Sequence, residues 1–335
     1  MKNGPPNKEV SCVPLVRLSI AAAVSGMLLS GCSPALPVTP SPTAVPPTPV
    51  RTATASPTPA ARRTIEVLPD TMSEVTVLVS DPSMVFSRPE EEPRGPESFW
   101  VDGDLVTIAD HLNSRIATFR DARIVETLAW PVTKGGEAVP AVDLAIDGDT
   151  FYFLAFLEPL VHVHQRVEGR LSPVRVIDFS SRTSSQTDQI ELQDGNLIGV
   201  TYSGRRFLIE GPGELPPDPF LDIDEELPSH LVADGLLNVR LLTSHDPLGI
   251  GLLHRDSAGS YYATAESYYD DARGNIVVSH VYQFAADGSL LRTFTPPRDG
   301  NHVPNREFRV VDDHLYQLRD HEDGASVLQV HPNPA

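Results

Sequence analysis

Short apolar runs separated by polar turns dominate the chain from Thr64 onward. The runs are rich in Val, Ile, Leu, Tyr and Phe, and Gly, Asp, Asn or Pro stand at their ends. Runs of this kind predict β-strands, and no long apolar stripe with the period of a helix interrupts them. The pattern therefore predicts an all-β domain over residues 64–335.

A polar turn followed by an apolar strand recurs along this domain. The turns are centred on Gly103, Gly148, Gly195, Gly274 and Asp313, which lie 45, 47, 79 and 39 residues apart. The gap of 79 has room for one further unit, which we place at Asp234-Gly235-Leu236. A repeat of this length is typical of a β-propeller, in which each repeat forms a four-stranded blade. Six blades of about 45 residues would account for the domain, and five or seven stay open.

The segment Thr76–Ser80 precedes the first full unit and reads as one more strand. An N-terminal strand can complete the last blade of a propeller and so cover the edges that an open ring would expose. We expect that role here. Residues 211–228 interrupt the repeat and predict a long loop on one face of the propeller.

The first unit contains the run Ile108–Phe119, with the sequence IADHLNSRIATF. This run resembles the NHL repeat, whose pattern is roughly A-D-x-x-N-x-R-I-x-x-F. The resemblance implies a second strand that ends near Asp110, then a turn, then a third strand. It also implies that the Asp, the Asn and the Arg hold the turn and the blade edges together. The last unit keeps only the Asp-His part of the pattern, at Asp320 and His321.

The first 31 residues have the features of an export signal. Lys2, Lys8 and Arg17 precede the charge-free stretch Leu18–Leu29. This stretch is shorter than the roughly 20 residues that cross a bilayer, and it fits the apolar region of a signal peptide. The lipobox follows, and its residues are Leu29, Ser30, Gly31 and Cys32. Its resemblance to the bacterial lipoprotein signal implies cleavage before Cys32 and a lipid on that thiol, on the extracytoplasmic face of a membrane.

Residues 32–63 change in character. Nine prolines lie between Pro34 and Pro59, mixed with Thr, Ala, Val and Ser. Such a segment cannot bury enough apolar surface to offset the entropy of ordering its backbone. We expect a disordered, extended tether between the lipidated Cys32 and the propeller.

The charge of the chain narrows the range of partners. The formal net charge is −19, and the two cysteines are Cys12 and Cys32. An acidic protein is a poor ligand for nucleic acid or for anionic lipid, since both attract basic surfaces. The domain over residues 64–335 has no thiol, which excludes a disulfide or a cysteine metal site within it.

Two turns supply the candidate binding face. Asp110, His111 and Asn113 lie in the first unit, and Asp320 and His321 take the equivalent place in the last unit. Ring closure would make these two blades neighbours, with both turns on one face. A metal or proton-relay site could use this arrangement, because histidine titrates near neutral pH. The favoured alternative is structural, with each Asp capping its own turn.

Two groups are candidate metal ligands. His162 and His164 share one face of a strand and could bind zinc with a third ligand, although a solvent-facing pair on an outer strand is favoured. Asp222 and Asp224 lie in an acidic stretch that could bind calcium, although a solvated loop is favoured. No cofactor is evident from the sequence, and calcium is possible.

No catalytic constellation stands out in the sequence. The domain has no cysteine nucleophile, no G-x-S-x-G motif and no phosphate-binding glycine loop. We therefore favour a binding or scaffolding module for a protein, peptide or glycan, which contacts its partner through the face that carries residues 211–228. The alternative is a hydrolase of the calcium-dependent lactonase or arylesterase type, with a central metal in the propeller channel.

Overall fold

The computed structural model describes residues 63–66, 72–84, 96–183, 185–201, 205–213, 230–233, 237–242, 247–256, 259–271, 274–297, 306–321 and 324–334. The regular secondary structure of these residues consists of β-strands. Among them, no helix has the length and apolar character needed to cross a membrane. Cys32, its lipobox residues Leu29, Ser30 and Gly31, and the acidic residues Asp222 and Asp224 lie outside the described residues.

The strands follow one another along the chain in hairpins. Two strands come before the first blade: β1 (Arg63–Glu66) and β2 (Val75–Asp81). The first blade contains β3 (Ser98–Asp102), β4 (Leu105–Asp110), β5 (Arg115–Arg120) and β6 (Arg123–Ala129). The second contains β7 (Ala141–Asp147), β8 (Thr150–Ala155), β9 (Leu160–Val167) and β10 (Arg170–Asp178). The third contains β11 (Thr187–Gln193), β12 (Asn196–Thr201) and β13 (Arg206–Glu210).

The second half of the domain starts with a short hairpin. Its strands are β14 (His230–Ala233) and β15 (Leu237–Leu242). The fourth blade contains β16 (Pro247–Arg255), β17 (Tyr261–Asp271), β18 (Gly274–Phe284) and β19 (Leu290–Phe294). The fifth contains β20 (Phe308–Val311), β21 (His314–His321) and β22 (Gly324–Val330), and β2 adds its fourth strand.

The predicted all-β propeller is confirmed, but with five blades instead of six. The hairpin β14–β15 is not a four-stranded blade, because its third strand is β1, which pairs in parallel with β15 from Arg63↔Val239 to Glu66↔Leu242. The blades themselves are antiparallel meanders. Among the described residues between Gly195 and Gly274, a short hairpin therefore stands where a further blade was predicted, between strands of the third and fourth blades. Spacing alone counts residues and does not show how many strands they form.

The strand β2 closes the ring as predicted. It pairs antiparallel with β22, from Val75↔Val330 to Asp81↔Ala325. Gly324, at the start of β22, has a positive φ of 132°, and a Cβ atom there would collide with the backbone of Asp81. Glycine is therefore required at the point where the two ends of the chain meet.

The hydrophobic core lies between the faces of neighbouring blades. Val79, Phe99 and Val327 belong to one buried cluster that joins the fifth blade to the first. Leu128 and Phe151 belong to the next cluster, between the first and second blades. The first strands of neighbouring blades also pack together, β3 against β7 and β20, and β7 against β11. These first strands therefore lie innermost and place their side chains near the axis.

Candidate functional site

Four charged side chains from three blades meet near the innermost strands. They are Asp143 on β7, Glu191 on β11, Arg309 on β20 and Arg306, two residues before β20. All four are buried, with at most 6% of each residue exposed. We call these four residues the axial cluster. Charges so deeply buried are stable only when they are paired, so their contacts determine what the cluster can do.

Asp143 accepts hydrogen bonds from several elements. Its Oδ1 lies 3.2 Å from Nη2 of Arg309 and also accepts the hydroxyl of Ser98, on the first blade. Its Oδ2 accepts the backbone N–H of Ile190 at 2.7 Å and lies 3.9 Å from Nη1 of Arg306. This one carboxylate therefore links the first, second, third and fifth blades.

Glu191 is the second carboxylate of the cluster. Its Oε1 accepts from Nη2 of Arg306 at 3.0 Å, and its Oε2 accepts from Nη2 of Arg206 at 2.8 Å. Nδ1 of His254, on the fourth blade, lies 3.8 Å from Oε2. Burial acts to raise the pKa of Glu191, but Arg206, His254 and Arg306 hold that pKa well below its ordinary value. Glu191 is therefore ionised at neutral pH.

Arg309 lies against two aromatic rings of the first blade. Its guanidinium carbon is 4.5 Å from the ring centroid of Trp100 and 5.8 Å from that of Phe99. The face of an aromatic ring attracts a cation, which offsets part of the cost of burial. Burial, together with the charge of Arg306, lowers the pKa of Arg309 to about 9. The side chain remains a cation at neutral pH.

Both arginines of the axial cluster have a hydrogen-bond donor atom that is not used. Nε of Arg306 and Nε of Arg309 are buried and have no hydrogen-bond partner among the described residues. At the margin of the cluster, Trp100, Gln189 and His254 are only partly buried. The arrangement suits an oxyanion, because guanidinium groups bind oxyanions through two N–H groups. The two carboxylates, in turn, are already occupied by arginines.

The predicted turn of the first blade is a bonded unit. Nδ2 of Asn113 donates to both carboxylate oxygens of Asp110, at 3.0 and 2.9 Å, and Nε of Arg115 donates to Oδ2 at 2.8 Å. Nη2 of Arg115 also reaches Oδ2 of Asp81 on β2, at 3.3 Å. The carboxylate of Asp110 is buried and occupied, so it holds the turn and the blade edge.

The remaining residues of the predicted binding face are His111, Asp320 and His321. His111 is exposed, and its ring centroid lies 4.9 Å from that of Trp130. Asp320 and His321 end β21, where they pair with Ala325 and Gly324. This is the position that Asp110 occupies at the end of β4, one blade away. The side chains of Asp320 and His321 lie outside the described residues.

The histidine pair lies inside the second blade. His162 and His164 are on β9, which β10 covers on its outer side, and both side chains are buried. The prediction of a solvent-facing pair is therefore wrong, because β9 is the third strand and not the outer one. His164 Nε2 lies 2.9 Å from the carbonyl oxygen of Val132, and burial lowers the pKa of both rings. The described residues contain no group of three or more His, Cys, Asp or Glu that could hold a metal ion.

The axial cluster was missed by the sequence analysis. Its members lie far apart in the chain, and no motif joins residues 143, 191, 306 and 309. A signal was present, since Asp143 and Arg309 each interrupt a run that is otherwise apolar: AVDLA and FRVV. A charged residue inside a short buried strand needs a buried partner. The sequence could have shown that partners exist, but not which residues they are.

Comparisons with known proteins find no match by sequence. No protein-family model matches the chain, and a search of curated proteins finds no relative. Among solved structures, the chain is similar to a Bacteroides fragilis protein proposed to be exported, with 11% identity, a TM-score of 0.41, and coverage of 82% of this chain and 100% of the other.

A Myxococcus xanthus glutaminyl cyclase is similar at 12% identity and a TM-score of 0.39, covering 82% of this chain and 99% of the other. A Bacteroides fragilis protein proposed to be a 6-phosphogluconolactonase is similar at 13% identity and a TM-score of 0.35, covering 71% of this chain and 85% of the other. Likenesses this distant carry no argument about activity. The class that the described residues define is a five-bladed β-propeller with a charged axis.

Proposed function

We propose that this chain is a lipid-anchored, extracytoplasmic binding module whose propeller holds a protein, peptide or glycan. The lipid is attached to Cys32, after the sequence Leu29-Ser30-Gly31. Residues 32–63 act as the tether, which at about 3.1 Å per residue extends tens of ångströms from the membrane. The strongly acidic chain then stays off an anionic membrane surface while its propeller meets its partner.

One observation carries the choice of binding over metal-dependent hydrolysis. Each axial carboxylate is engaged by two guanidinium groups: Asp143 by Arg306 and Arg309, and Glu191 by Arg206 and Arg306. A calcium ion needs several oxygen ligands, and here it would have to displace these cations and resist their repulsion. The axis is therefore better suited to holding a partner than to holding a catalytic calcium ion.

Asp110 and Asn113 carry side-chain oxygens that a calcium-dependent hydrolase could use, but both have other partners. Asp110 and Asn113 are bonded to each other within a turn of the first blade. Their release for a central metal would remove the bonds that fix this turn. The calcium-dependent lactonase or arylesterase remains the alternative that an experiment has to address.

A thermal melt of the full chain in detergent tests the metal requirement. We expect the same midpoint with EDTA and with added calcium. A ligand that binds only the folded state stabilises it by about 2.7 kcal/mol at a hundredfold excess over its Kd, which shifts the midpoint by several degrees. A reversible shift of that size with calcium would contradict the binding module and favour the hydrolase.

Site-specific photo-crosslinking on intact cells tests the binding itself. One photoreactive residue replaces Gln189, at the margin of the axial cluster, and a matched one replaces Val174, which is exposed on the outer strand β10. We expect a discrete cross-linked product at position 189 and none at position 174. Equal products at both positions, or none at either, would contradict a partner bound at the axis.

A further inference from the structure

The axial cluster has more donor capacity than its acceptors use. Arg309 donates from Nη2 to Asp143 and to the carbonyl oxygen of Leu144 at 3.0 Å, while its Nε has no hydrogen-bond partner among the described residues. Arg306 donates through Nη1 to Gln189 and through Nη2 to Glu191. Its Nε also has no hydrogen-bond partner among the described residues. A buried N–H without an acceptor costs about 1–3 kcal/mol, and more for a charged group, so an additional acceptor would be stabilising.

The charges of the cluster point to the sign of that acceptor. Three guanidinium groups, of Arg206, Arg306 and Arg309, share the two carboxylates of Asp143 and Glu191. Arg306 contacts both carboxylates, and its charge contributes to the lowered pKa of Arg309. Cations that repel one another in a buried setting are relieved by an anion between them.

Three partly exposed residues border the cluster. Trp100, Gln189 and His254 are partly exposed, and each contacts a member of the cluster. These three residues form the border of the cluster towards solvent, so a ligand would have to enter past them. Trp100, 4.5 Å from the guanidinium carbon of Arg309, provides a flat apolar wall beside the site.

We propose that the axial cluster binds a carboxylate group of the partner, through the guanidinium groups of Arg306 and Arg309. This inference rests on the proposed function, since it assigns a chemical class to the same site. A carboxylate is planar and accepts two parallel N–H bonds from one guanidinium. It adds a single negative charge, whereas a phosphate group brings up to two and meets stronger repulsion from Asp143 and Glu191.

Tryptophan fluorescence gives a local readout of this site in the full chain. The chain has two tryptophans, so Trp130→Phe leaves Trp100 as the reporter beside Arg309. We expect a saturable change in its fluorescence with acetate, and none with chloride at the same ionic strength. The matched Trp100→Phe chain, which reports from Trp130, should stay unchanged with either salt.

Two arginine variants in the Trp130→Phe background locate the binding. Arg309→Lys keeps the positive charge but loses the two-pronged donor, and we expect acetate to bind at least tenfold more weakly. Arg292→Lys is the matched control, because Arg292 also donates to a carboxylate, that of Asp313 at 2.8 Å; its effect should stay within twofold. Circular dichroism confirms that both variants fold.

Several results would overturn the carboxylate assignment. They are the lack of a saturable acetate response from Trp100, an equal response to chloride, a stronger one to phosphate, or equal effects of the two arginine variants. The first three need only the Trp130→Phe chain, so a failure of Arg309→Lys to fold does not prevent a decision. Cross-linking at position 189 without an acetate response would remove the carboxylate and leave the binding module. An acetate response without cross-linking would keep the carboxylate site and remove the binding module.

Discussion

Two groups of arginines and carboxylates in this propeller are built in different ways. At the turn of the first blade, Asp110 and Arg115 are five residues apart, and one hairpin brings them together. In the axial cluster, Asp143 and Arg309 come from different blades, 166 residues apart. The side chain of Arg115 is 20% exposed and that of Arg309 is 4% exposed. One group depends on a local turn, and the other depends on closure of the ring.

The difference in exposure between Arg115 and Arg309 determines how much each charge pair matters for the stability of the fold. Water solvates Arg115 in part, so the loss of one bond is partly compensated there. Water reaches Arg309 hardly at all, and the removal of Asp143 leaves a buried cation without a carboxylate bonded to it. The axial cluster should therefore respond much more strongly to mutation than the turn does.

The largest effect is expected at Asp143. Asp143→Ala leaves Arg309 without its carboxylate and removes the acceptor of Ser98 and of the Ile190 N–H. Breaking a buried charge pair typically costs about 3–5 kcal/mol, and we expect a loss of this size in the free energy of unfolding. Chemical denaturation of the full chain measures it.

The matched control for Asp143 is an exposed aspartate that also pairs with an arginine. Asp149 accepts from Arg166 at 2.6 Å, and its side chain is 57% exposed. Asp149→Ala should change the free energy of unfolding by less than about 1 kcal/mol. Similar losses for Asp143→Ala and Asp149→Ala would show that burial does not set the value of these pairs.

An intermediate effect, which depends on pH, is expected at Glu307. This residue follows Arg306 directly, yet its Oε1 accepts from Nε2 of Gln317 at 2.9 Å. Burial raises the pKa of Glu307 from 4.5 to about 7. The folded state then binds more protons than the unfolded state between these pH values, so stability falls as the pH rises from about 4.5 to 7. Glu307→Gln should be more stable by about 3 kcal/mol at pH 8 and by less than about 1 kcal/mol at pH 5.

A second glutamate provides a control of opposite sign. Arg175 donates to both carboxylate oxygens of Glu210, and these hydrogen bonds lower the pKa of Glu210. A lowered pKa contributes stability above the unfolded value, and this contribution is lost as the pH falls. Glu210→Gln should therefore be slightly destabilising at pH 8 and less so at pH 4. Thermal melts across this range would contradict the assignment if both variants changed with pH in the same direction.

The smallest effect is expected at the turn of the first blade. Asp110→Asn keeps an acceptor oxygen for Asn113 and removes the charge that Arg115 pairs with. We expect a loss of about 1 kcal/mol in the free energy of unfolding, in the range of a single hydrogen bond, because Asp110 is buried but its partner Arg115 is partly solvated. Asp104→Asn is the control, because Asp104 pairs with Arg120 and is 67% exposed. A loss at Asp110 as large as that at Asp143 would erase the distinction between the two groups.

The sequence predicted those features that depend on neighbours in the chain. Alternating strands and turns, and a strand over Thr76–Ser80, follow from short-range patterns. The bonded turn at Asp110 and Asn113 was implied by the resemblance to the NHL repeat, and the closing role of the strand was expected from the propeller architecture. The number of blades did not follow, because the parallel pairing of Arg63 with Val239 joins segments that no local pattern connects. The axial cluster did not follow for the same reason: the partner of a buried Arg309 is decided only when distant blades meet.

Closure of the ring by β2 and β22 also determines when folding can finish during synthesis of the chain. Asp81 lies opposite Ala325, so a strand made early must wait for one of the last strands made. Until β22 arrives, β2 and β21 both present unpaired backbone groups, and such edges promote association between chains. Contacts of such long range also slow folding, because the entropy of closing the loop is lost before the contacts form. A nascent chain that stops short of β22 would thus expose two unpaired strand edges, which favours its association with other chains.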